Sequence, residues 1–350
     1  MSGGPLRDAI LVLTQDPDPT ADVIVDRLRE LDLPVIRFDS SYFPHRAQMT
    51  ARWRDGRMHT VLHIEDDGDV DLATLRSIWY RRPREFTFSP ELTPDSWAFA
   101  RAEARQGFAG ALQTSPALWV NRPHAESVAG LKMLQLRVAA ARGLTIPETL
   151  VTNRPAAAEA FLDEHDSATG TIYKRLSSML LFTADGALTA FQTEKVDAAA
   201  RSKLDHVAVT PCLFQRYVPK AYEIRATVVG ETVIAASVDS QSSAHGQTDW
   251  RVDAGLTWEP YQLPESVEQA LRAIVADLGL IFGAVDLIRD PDGGYVFLEV
   301  NPSGQWAWFH DEITHPIRDA IIGQLADPPD AARGMGLAAP TSLVQQVAGS

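Results

Sequence analysis

The residues most suited to chemistry lie in a stretch near the C-terminal end, 282–309. Asp286 stands in one apolar run, Glu299 stands in the next, and Asn301 follows two residues later. Side chains two residues apart in a strand share a face, so Glu299 and Asn301 would point the same way. Oxygen-only ligands on adjacent strands suit Mg²⁺, which takes a few carboxylates and keeps some waters. The spacing therefore predicts a hairpin that carries a magnesium site.

The alternative is a pair of acids on an exposed hairpin, which is the common arrangement for an isolated Asp and Glu. Glu299, however, lies inside the apolar run VFLEV, where an unpaired charge would be costly. A Pro-Ser-Gly turn and three aromatic residues follow directly. These features favour the metal site.

Two lysines lie where a phosphate could meet them. Lys132 stands three residues before Gln135 in a segment with helical spacing, so the two side chains share a face. Lys174 lies in the middle of the predicted strand TIYKRL, where its ammonium must either reach solvent or meet an anion. A solvated lysine is the alternative at both positions.

Two adjacent arginines, Arg81 and Arg82, close the predicted strand 77–83 (SIWYRRP). Alternation along a strand sends them to opposite faces, so one of them could point into a cleft. A guanidinium binds a carboxylate or a phosphate through two parallel hydrogen bonds. Exposure of both side chains to solvent is the alternative.

The charge balance restricts the partners. The chain has 46 acidic and 32 basic residues and a formal net charge of −14, which argues against nucleic acid. A single cysteine, Cys212, excludes a disulfide framework, and its apolar surroundings predict a small core residue. No apolar run reaches the length of a membrane span, and the first residues lack a signal-peptide pattern. We therefore expect a soluble, cytoplasmic protein without a membrane partner.

The elements that must position these residues alternate between strand and helix. The chain opens with a β-α-β pattern, with Thr20 as the expected helix cap, and lacks a glycine-rich phosphate loop. One long helix is expected over 124–141, and a hairpin is expected around Asp185-Gly186. The pattern predicts an α/β chain divided into an N-terminal domain (1–122), a central subdomain (123–210), a C-terminal subdomain (211–326) and a poorly ordered tail (327–350).

Several motifs, taken in order, resemble a known superfamily. The string L-E-x-N-P after Asp286 resembles the metal-binding signature of the ATP-grasp carboxylate–amine ligases. The strings EVNPSGQW, WYRRP, N-R-P-(x)8-K-x-x-Q and Asp249-Trp-Arg251 are similar to the ribosomal-peptide maturases of that superfamily, which macrocyclise microviridin-type peptides (graspetides). The resemblance covers nearly the whole chain, about residues 9 to 325.

The resemblance implies an ATP-grasp fold: an N-terminal α/β lobe, a small central lid and a C-terminal lobe with the metal hairpin. It implies ATP and Mg²⁺ as cofactors, with the metal on Asp286, Glu299 and Asn301. The implied nucleotide contacts come from a helix, a lid strand and a hinge: Lys132 and Lys174 on the phosphates, Gln215 on the adenine amino group, the backbone of Arg216 and Val218 on the adenine edge, and Glu223 on the ribose.

For catalysis the resemblance points to Arg225, Arg251 and Asp249. The chain departs from the family pattern at one position. Many ATP-grasp ligases carry a basic residue two positions before the first metal acid, where this chain has Ala284. Stabilisation of an acyl phosphate would then fall to Arg225 or Arg251.

The implied enzyme activates Asp or Glu side chains of a ribosomally made precursor peptide as acyl phosphates. It then joins them to Ser, Thr or Lys side chains as ω-esters or ω-amides. Arg81 or Arg82 would orient the substrate carboxylate, segment 179–206 would bind the leader of the precursor, and the enzyme would be a homodimer. Two alternatives stay open. One is an ATP-grasp ligase that adds an amino acid to a protein or peptide tail, and the other is a nucleotide-binding regulator without turnover.

Overall fold

The computed structural model describes residues 6–166, 170–177, 181–182, 188–189, 193–243, 248, 250–253 and 255–328. The chain divides into two compact units. The first consists of Met1–Glu126, Gly279–Phe282 and Ser303–Ser350, and the second consists of Ser127–Leu278 and Gly283–Pro302. The three-part division after residues 122 and 210 stays a prediction, and most of the tail 327–350 lies outside the described residues.

The described chain contains both strands and helices. In order they are β1 (Ile10–Thr14), α1 (Pro19–Glu30), β2 (Val35–Phe38), β3 (Ala47–Arg54), β4 (Arg57–Ile64), β5 (Gly68–Asp71), β6 (Ser77–Arg82), α2 (Pro94–Gln113), β7 (Leu118–Val120), α3 (Pro123–Ala129), α4 (Lys132–Ala141), β8 (Thr149–Thr152), α5 (Pro155–His165), β9 (Thr171–Lys174), β10 (Leu181–Phe182), β11 (Leu188–Thr189), β12 (Glu194–Lys195), α6 (Ala198–Arg201), β13 (Cys212–Arg216), β14 (Tyr222–Val229), β15 (Thr232–Val238), β16 (Glu259–Tyr261), α7 (Glu265–Asp277), β17 (Phe282–Arg289), β18 (Tyr295–Asn301) and α8 (Asp311–Ala326).

The first unit is built on a parallel sheet of order β2-β1-β6-β7. Helix α8 packs on α1, β6 and β7, and strands β3, β4 and β5 form a separate antiparallel sheet. The β-α-β opening expected from the sequence is confirmed. Apolar side chains from the strands and from α2 form the core of this unit, among them Leu11, Leu13, Phe38, Ile78, Phe108 and Trp119.

Helix α1 begins at Pro19 because Asp18 caps it. The Asp18 Oδ1 atom accepts from the backbone N–H groups of Thr20 (3.2 Å) and Ala21 (3.4 Å), which have no acceptor inside the helix. Pro19 suits the first helical position because it has no N–H group to satisfy. The prediction of Thr20 as the cap is wrong. Thr20 lies in the first turn, and its hydroxyl donates to Gln305 Oε1 (2.5 Å).

The second unit contains two larger sheets. One is antiparallel with the order β12-β9-β13-β8, and the other has the order β16-β15-β14-β17-β18. Strands β10 and β11 form the predicted hairpin, although its turn lies outside the described residues. Helix α7 buries Val267, Leu271, Ile274 and Val275. Within the described part of the chain, no helix is long and apolar enough to cross a membrane.

The predicted single helix over 124–141 is wrong, because two helices occupy that segment. Helix α3 ends at Ala129, and Leu131 is extended (φ −78°, ψ 99°) before α4 begins. Gln135 stabilises the break. Its Nε2 atom donates to the carbonyls of Ala129 (2.5 Å) and Val300 (2.8 Å), and its Oε1 atom accepts from the Val300 N–H (2.9 Å). One buried amide therefore ends α3 and holds β18.

Strands β17 and β18 pair antiparallel, which confirms the predicted hairpin. In the turn, Asp290 Oδ1 accepts from the Gly294 N–H (2.6 Å), and Gly293 has a φ of 93°, which glycine adopts readily. The register shifts after Asp286, so that Leu298 is the extra residue of a β-bulge. Bulges of this kind re-aim the neighbouring side chains.

Glu126 of α3 is a carboxyl whose acidity is changed by burial. Both of its oxygens accept from the Ser303 hydroxyl (3.0 Å), and Oε1 also accepts from Asn121 Nδ2 (3.4 Å). Burial raises the pKa of Glu126 to about 8, although these hydrogen bonds and the charge of Arg81 oppose the rise. Because the folded-state pKa is raised, the contribution of Glu126 to stability is complete below its unfolded-state pKa and is lost as the pH rises through about 8.

Glu126→Gln should remove this pH dependence. We expect the variant to exceed the parent in free energy of unfolding at about pH 8.5 and to match it at about pH 5, because an amide has no charge to bury. Denaturant unfolding at both pH values measures the difference. Glu91→Gln, at an exposed position of the same unit, is the control. A gain of the same size at both pH values would contradict the prediction.

Candidate active site

Two carboxylates face each other on neighbouring strands of the second unit. Asp286 of β17 and Glu299 of β18 are direct register partners next to the bulge. Asp286 is buried and Glu299 is half-buried. Like charges directly opposite each other destabilise a strand pair. The pair therefore requires cations beside it.

Three cationic side chains contact the two carboxylates. Arg225 Nη1 lies 2.8 Å from Asp286 Oδ1, and Arg251 Nη2 lies 2.6 Å from Asp286 Oδ2 and 3.5 Å from Glu299 Oε1. Lys132, the first residue of α4, forms a short ion pair with Glu299. The side chains of Arg225 and Asp286 are only 5% and 8% exposed. Removal of one partner from so buried a pair costs about 3–5 kcal/mol, whereas an exposed pair contributes about 0–1 kcal/mol.

Lys174, at the end of β9, is a fourth cation that acts on the same carboxylates. Burial lowers the pKa of Lys174, the charges of Lys132 and Arg251 lower it further, and Glu299 and Asp286 oppose the change. Its ammonium forms no ion pair within 4 Å among the described residues. A desolvated ammonium of this kind is suited to bind an anion.

The surrounding cations keep Glu299 ionised. Burial alone would raise the pKa of Glu299, but the charges of Lys132, Lys174 and Arg251 outweigh burial and lower it to about 2. Because the pKa is lowered in the folded state, the stabilising contribution is present above the unfolded-state pKa and is lost only as the pH falls towards 2. Glu299 is therefore a permanent anion at any physiological pH.

The donor set fits a magnesium nucleotide. Asp286, Glu299 and Asn301, the last residue of β18, offer oxygen ligands of the kind that Mg²⁺ prefers. Four cations act on two carboxylates, and this surplus of positive charge suits anionic phosphates. A bound metal would replace Lys132 and Arg251 as the partner of the carboxylates. Bound phosphates would replace the carboxylates as the partners of Lys132 and Arg251.

Gln215 of β13 has a free acceptor in a buried position. Its side chain is 2% exposed, its Nε2 atom donates to Thr149 Oγ1 (3.0 Å), and its Oε1 atom has no hydrogen-bond partner among the described residues. A buried acceptor without a donor is costly, and an adenine amino group would supply one. The Arg216 N–H already donates to the Glu148 carbonyl (2.9 Å). The predicted backbone contact of Arg216 is therefore restricted to its carbonyl, while Val218 is half-buried in the segment after β13.

Glu223, predicted to bind the ribose, contacts a lysine that no motif marked. Lys220 Nζ lies 2.9 Å from Glu223 Oε1 and also donates to the Thr248 carbonyl (3.0 Å). Both side chains are buried. Burial raises the pKa of Glu223, and the charge of Lys220 opposes the rise. The separation of three residues between Lys220 and Glu223 is a signal that could have revealed the pair.

In the first unit, Arg81 and Arg82 differ as strand alternation predicts. Arg81 is buried, and it donates through Nε to Asp18 Oδ2 (2.7 Å) and through Nη2 to Gln305 Oε1 (2.8 Å). Arg82 is half-buried and forms no ion pair among the residues that the structure describes. Burial lowers the pKa of Arg81, and Asp18 opposes the change. Arg81 therefore holds β6, α1 and the segment around Gln305 together, so Arg82 is the freer of the two for a substrate.

Asn121, from the N-R-P motif, has a structural role in the first unit. Its Oδ1 atom accepts from the N–H groups of Ile281 (2.8 Å) and Phe282 (2.9 Å), and its Nδ2 atom donates to the Phe282 carbonyl (2.9 Å). These bonds fix the point where β17 begins. Asp249, predicted to take part in catalysis, lies outside the described residues.

The sequence matches the domain models of a known family. The sequence model of the RimK-like ATP-grasp domain matches residues 129–325, more than half of the chain, and that of the MvdD pre-ATP grasp domain matches residues 9–127. The chain therefore belongs to the RimK-like ATP-grasp family, which consists of ATP-dependent ligases, and the predicted ATP-grasp fold is confirmed. No curated protein matches the chain.

Solved structures extend the comparison to peptide-modifying enzymes. The macrocyclase MdnC from Microcystis aeruginosa MRC, bound with the precursor peptide MdnA, is 27% identical, with coverage of 91% of this chain and 99% of that one and a TM-score of 0.80. A RiPP-associated ATP-grasp ligase from Chryseobacterium gregarium, in complex with ADP and a leader and core peptide, is 28% identical (92% and 97% covered, TM-score 0.83). The macrocyclase MdnB from Microcystis aeruginosa MRC is 29% identical (91% and 99% covered, TM-score 0.73). The predicted resemblance to peptide-maturing ATP-grasp enzymes is confirmed.

Lys174→Ala should weaken nucleotide binding by about ten- to a hundred-fold, because a hydrogen bond to a charged group contributes about 1.5–3 kcal/mol. Calorimetric titration of the protein with ADP in the presence of Mg²⁺ measures the dissociation constant. Lys203→Ala, at an exposed position of the same unit, should bind ADP like the parent. Equal affinity in all three proteins would mean that Lys174 contacts no phosphate.

Proposed function

We propose that this ATP-grasp protein is a macrocyclase of ribosomally made peptides. It would use ATP to phosphorylate Asp or Glu side chains of a precursor peptide and let Ser, Thr or Lys side chains displace the phosphate, leaving ω-ester or ω-amide links. The observation that carries the proposal is the opposed pair Asp286 and Glu299 together with the four cationic side chains that act on it. The three similar structures, two called macrocyclases and one a RiPP-associated ligase, support this substrate class.

In the proposed reaction the protein supplies position and charge rather than a covalent nucleophile. Lys132 and Lys174 would hold the phosphates, while Gln215, Val218 and Glu223 would hold the nucleoside. Mg²⁺ on Asp286, Glu299 and Asn301 would neutralise charge on the phosphates of ATP.

The two candidate catalytic arginines differ in freedom. Arg225 is 5% exposed and fixed on Asp286, whereas the Arg251 side chain is 43% exposed and lies over the Trp250 ring, 4.8 Å from its centroid. We therefore assign the stabilisation of the acyl phosphate to Arg251 and the positioning of Asp286 to Arg225. Ala284, buried opposite Asn301, leaves this role to an arginine from another element.

The substrate would be held in two further places. Arg82 would orient the carboxylate of the precursor, and Arg81 would act indirectly through its contacts with Asp18 and Gln305. A cavity of about 600 Å³ in the second unit is the proposed seat of the leader. It is lined partly by the predicted segment 179–206, and its lining includes four apolar side chains and two lysines: Val196, Leu204, Val207, Phe214, Lys195 and Lys203. Residues 179–180, 183–187 and 190–192 of that segment lie outside the described residues.

We also propose a homodimer in a reducing cytosol. Leu131 and Met133 are 58% and 59% exposed, and such apolar side chains are of the kind that a subunit interface covers. Cys212 is a free cysteine, which agrees with a reducing compartment. It is half-buried, packs against the apolar core cluster of this unit as the sequence predicted, and also lines the cavity.

Glu299→Gln should abolish ATP-dependent turnover and leave the fold intact. The amide keeps the shape of the side chain but loses the charge that a metal needs. Because residue 299 is only half-buried, Lys132 can turn to solvent when its partner is lost. Phosphate release and thermal unfolding, measured together, separate activity from stability. Glu259→Gln, exposed on the same sheet, is the control. A folded Glu299→Gln protein with the parental rate would refute the metal assignment.

Incubation with ATP, Mg²⁺ and a precursor peptide, sought as a short reading frame beside the gene, should yield products that have lost whole numbers of water molecules, one for each link. Mass spectrometry of the intact peptide reads this directly, and Arg82→Ala should lower the yield. A gain of amino-acid mass would instead identify an amino-acid ligase. ATP binding without any peptide-dependent turnover would identify a regulator.

A further inference from the structure

A second group of metal-ligating side chains lies in the second unit, and none of its members belongs to the ATP site. Glu148 precedes β8, and Glu164 and His165 close helix α5. One ligand atom from each, two carboxylate oxygens and an imidazole nitrogen, lie within 4.8 Å of one another. The two glutamates are exposed and the histidine is buried.

His165 contributes an imidazole nitrogen that is held in place and has no hydrogen-bond partner among the described residues. Its side chain is 8% exposed, and its Nε2 atom has no hydrogen-bond partner among the described residues. The same atom is directed at Glu148, with 3.5 Å between Nε2 and Oε1. Phe161 packs edge-on against the imidazole ring at 4.4 Å between centroids, which restrains the ring. A buried polar nitrogen without a partner is costly, and a metal ion would relieve that cost.

The neighbouring arginine pairs with other acids and leaves the carboxylates of this group available to a cation. Arg201 contacts Asp163 and Asp166, which lie on either side of the pair Glu164 and His165. Glu164 itself forms no ion pair among the described residues. The group also lies at the C-terminal end of an eleven-residue helix, where the backbone carbonyls favour positive charge.

We propose that Glu148, Glu164 and His165 bind a divalent transition-metal ion, with Zn²⁺ as the best fit. One imidazole nitrogen and two carboxylate oxygens are ligands that Zn²⁺ accepts at about 2.0–2.2 Å, with water completing a tetrahedron. Mg²⁺ is disfavoured, because it prefers oxygen ligands and imidazole suits zinc and its neighbours. The exposed glutamate side chains can close the remaining distance around the fixed imidazole.

The site would stiffen a strand next to the proposed adenine contact. The Glu148 carbonyl accepts from the Arg216 N–H (2.9 Å), and Thr149, the next residue, accepts from Gln215 Nε2 (3.0 Å). A metal on Glu148 and His165 would join the end of α5 to the residue that begins this network. The ion is therefore expected to stabilise β8 rather than to take part in the reaction.

The test is calorimetric titration of the untagged, chelator-treated full-length protein with Zn²⁺. Glu148→Gln and Glu164→Gln should each weaken binding at the site by at least about tenfold. Glu159→Gln, an exposed glutamate on the same helix, should not. Addition of Zn²⁺ should also shift the ring resonances of His165 in the NMR spectrum of the parent.

Glu299→Gln separates this proposal from the ATP site. If zinc binding persists in that variant and is lost in Glu148→Gln and Glu164→Gln, the second site stands whatever the fate of the proposed function. The proposal is overturned if the parent binds no Zn²⁺, if Glu148→Gln, Glu164→Gln and Glu159→Gln all bind it equally, or if Glu299→Gln alone removes it. In those cases His165 and Glu148 form only an ion pair.

Discussion

The repulsion between Asp286 and Glu299 is the constraint on which the second unit depends. The two carboxylates stand directly opposite each other on β17 and β18, an arrangement that is unfavourable for like charges. Burial by itself would raise the pKa of Glu299, yet the cations around it lower that pKa to about 2. The strand pair is therefore stable only when cations lie beside the hairpin. These cations come from α4, β9, β14 and the segment after Trp250. The same need for cations makes the place receptive to phosphates.

Local interactions hold those cations beside the hairpin. The Gln135 amide ends α3 and binds β18, so it fixes Lys132 at the start of α4 beside Glu299. Arg225 lies inside the central strand β14 and is buried on Asp286. Each cation thus comes from a different element, which makes the site sensitive to the packing of the whole unit. In the first unit, Arg81 has the comparable role, because its guanidinium joins β6, α1 and Gln305.

Short-range features of the site could be predicted from the sequence, and long-range partners could not. The hairpin, its turn and the opposite faces of Arg81 and Arg82 follow from alternation and turn residues. The break between α3 and α4 depends on Gln135 reaching Val300, 165 positions away, and helical periodicity carries no trace of it. The pairing of Arg81 with Asp18, 63 positions away, likewise depends on a tertiary contact. The roles of these residues in binding and catalysis remain predictions.

The central claim is that the charge cluster serves to activate a carboxylate with ATP. The most direct measurement uses a precursor peptide whose Asp and Glu carboxylates carry ¹⁸O. An acyl phosphate transfers one carboxylate oxygen to phosphorus when the nucleophile displaces it, so the account predicts one ¹⁸O atom in the released phosphate for each link formed. Phosphate that contains no ¹⁸O, released while links are formed, would contradict it.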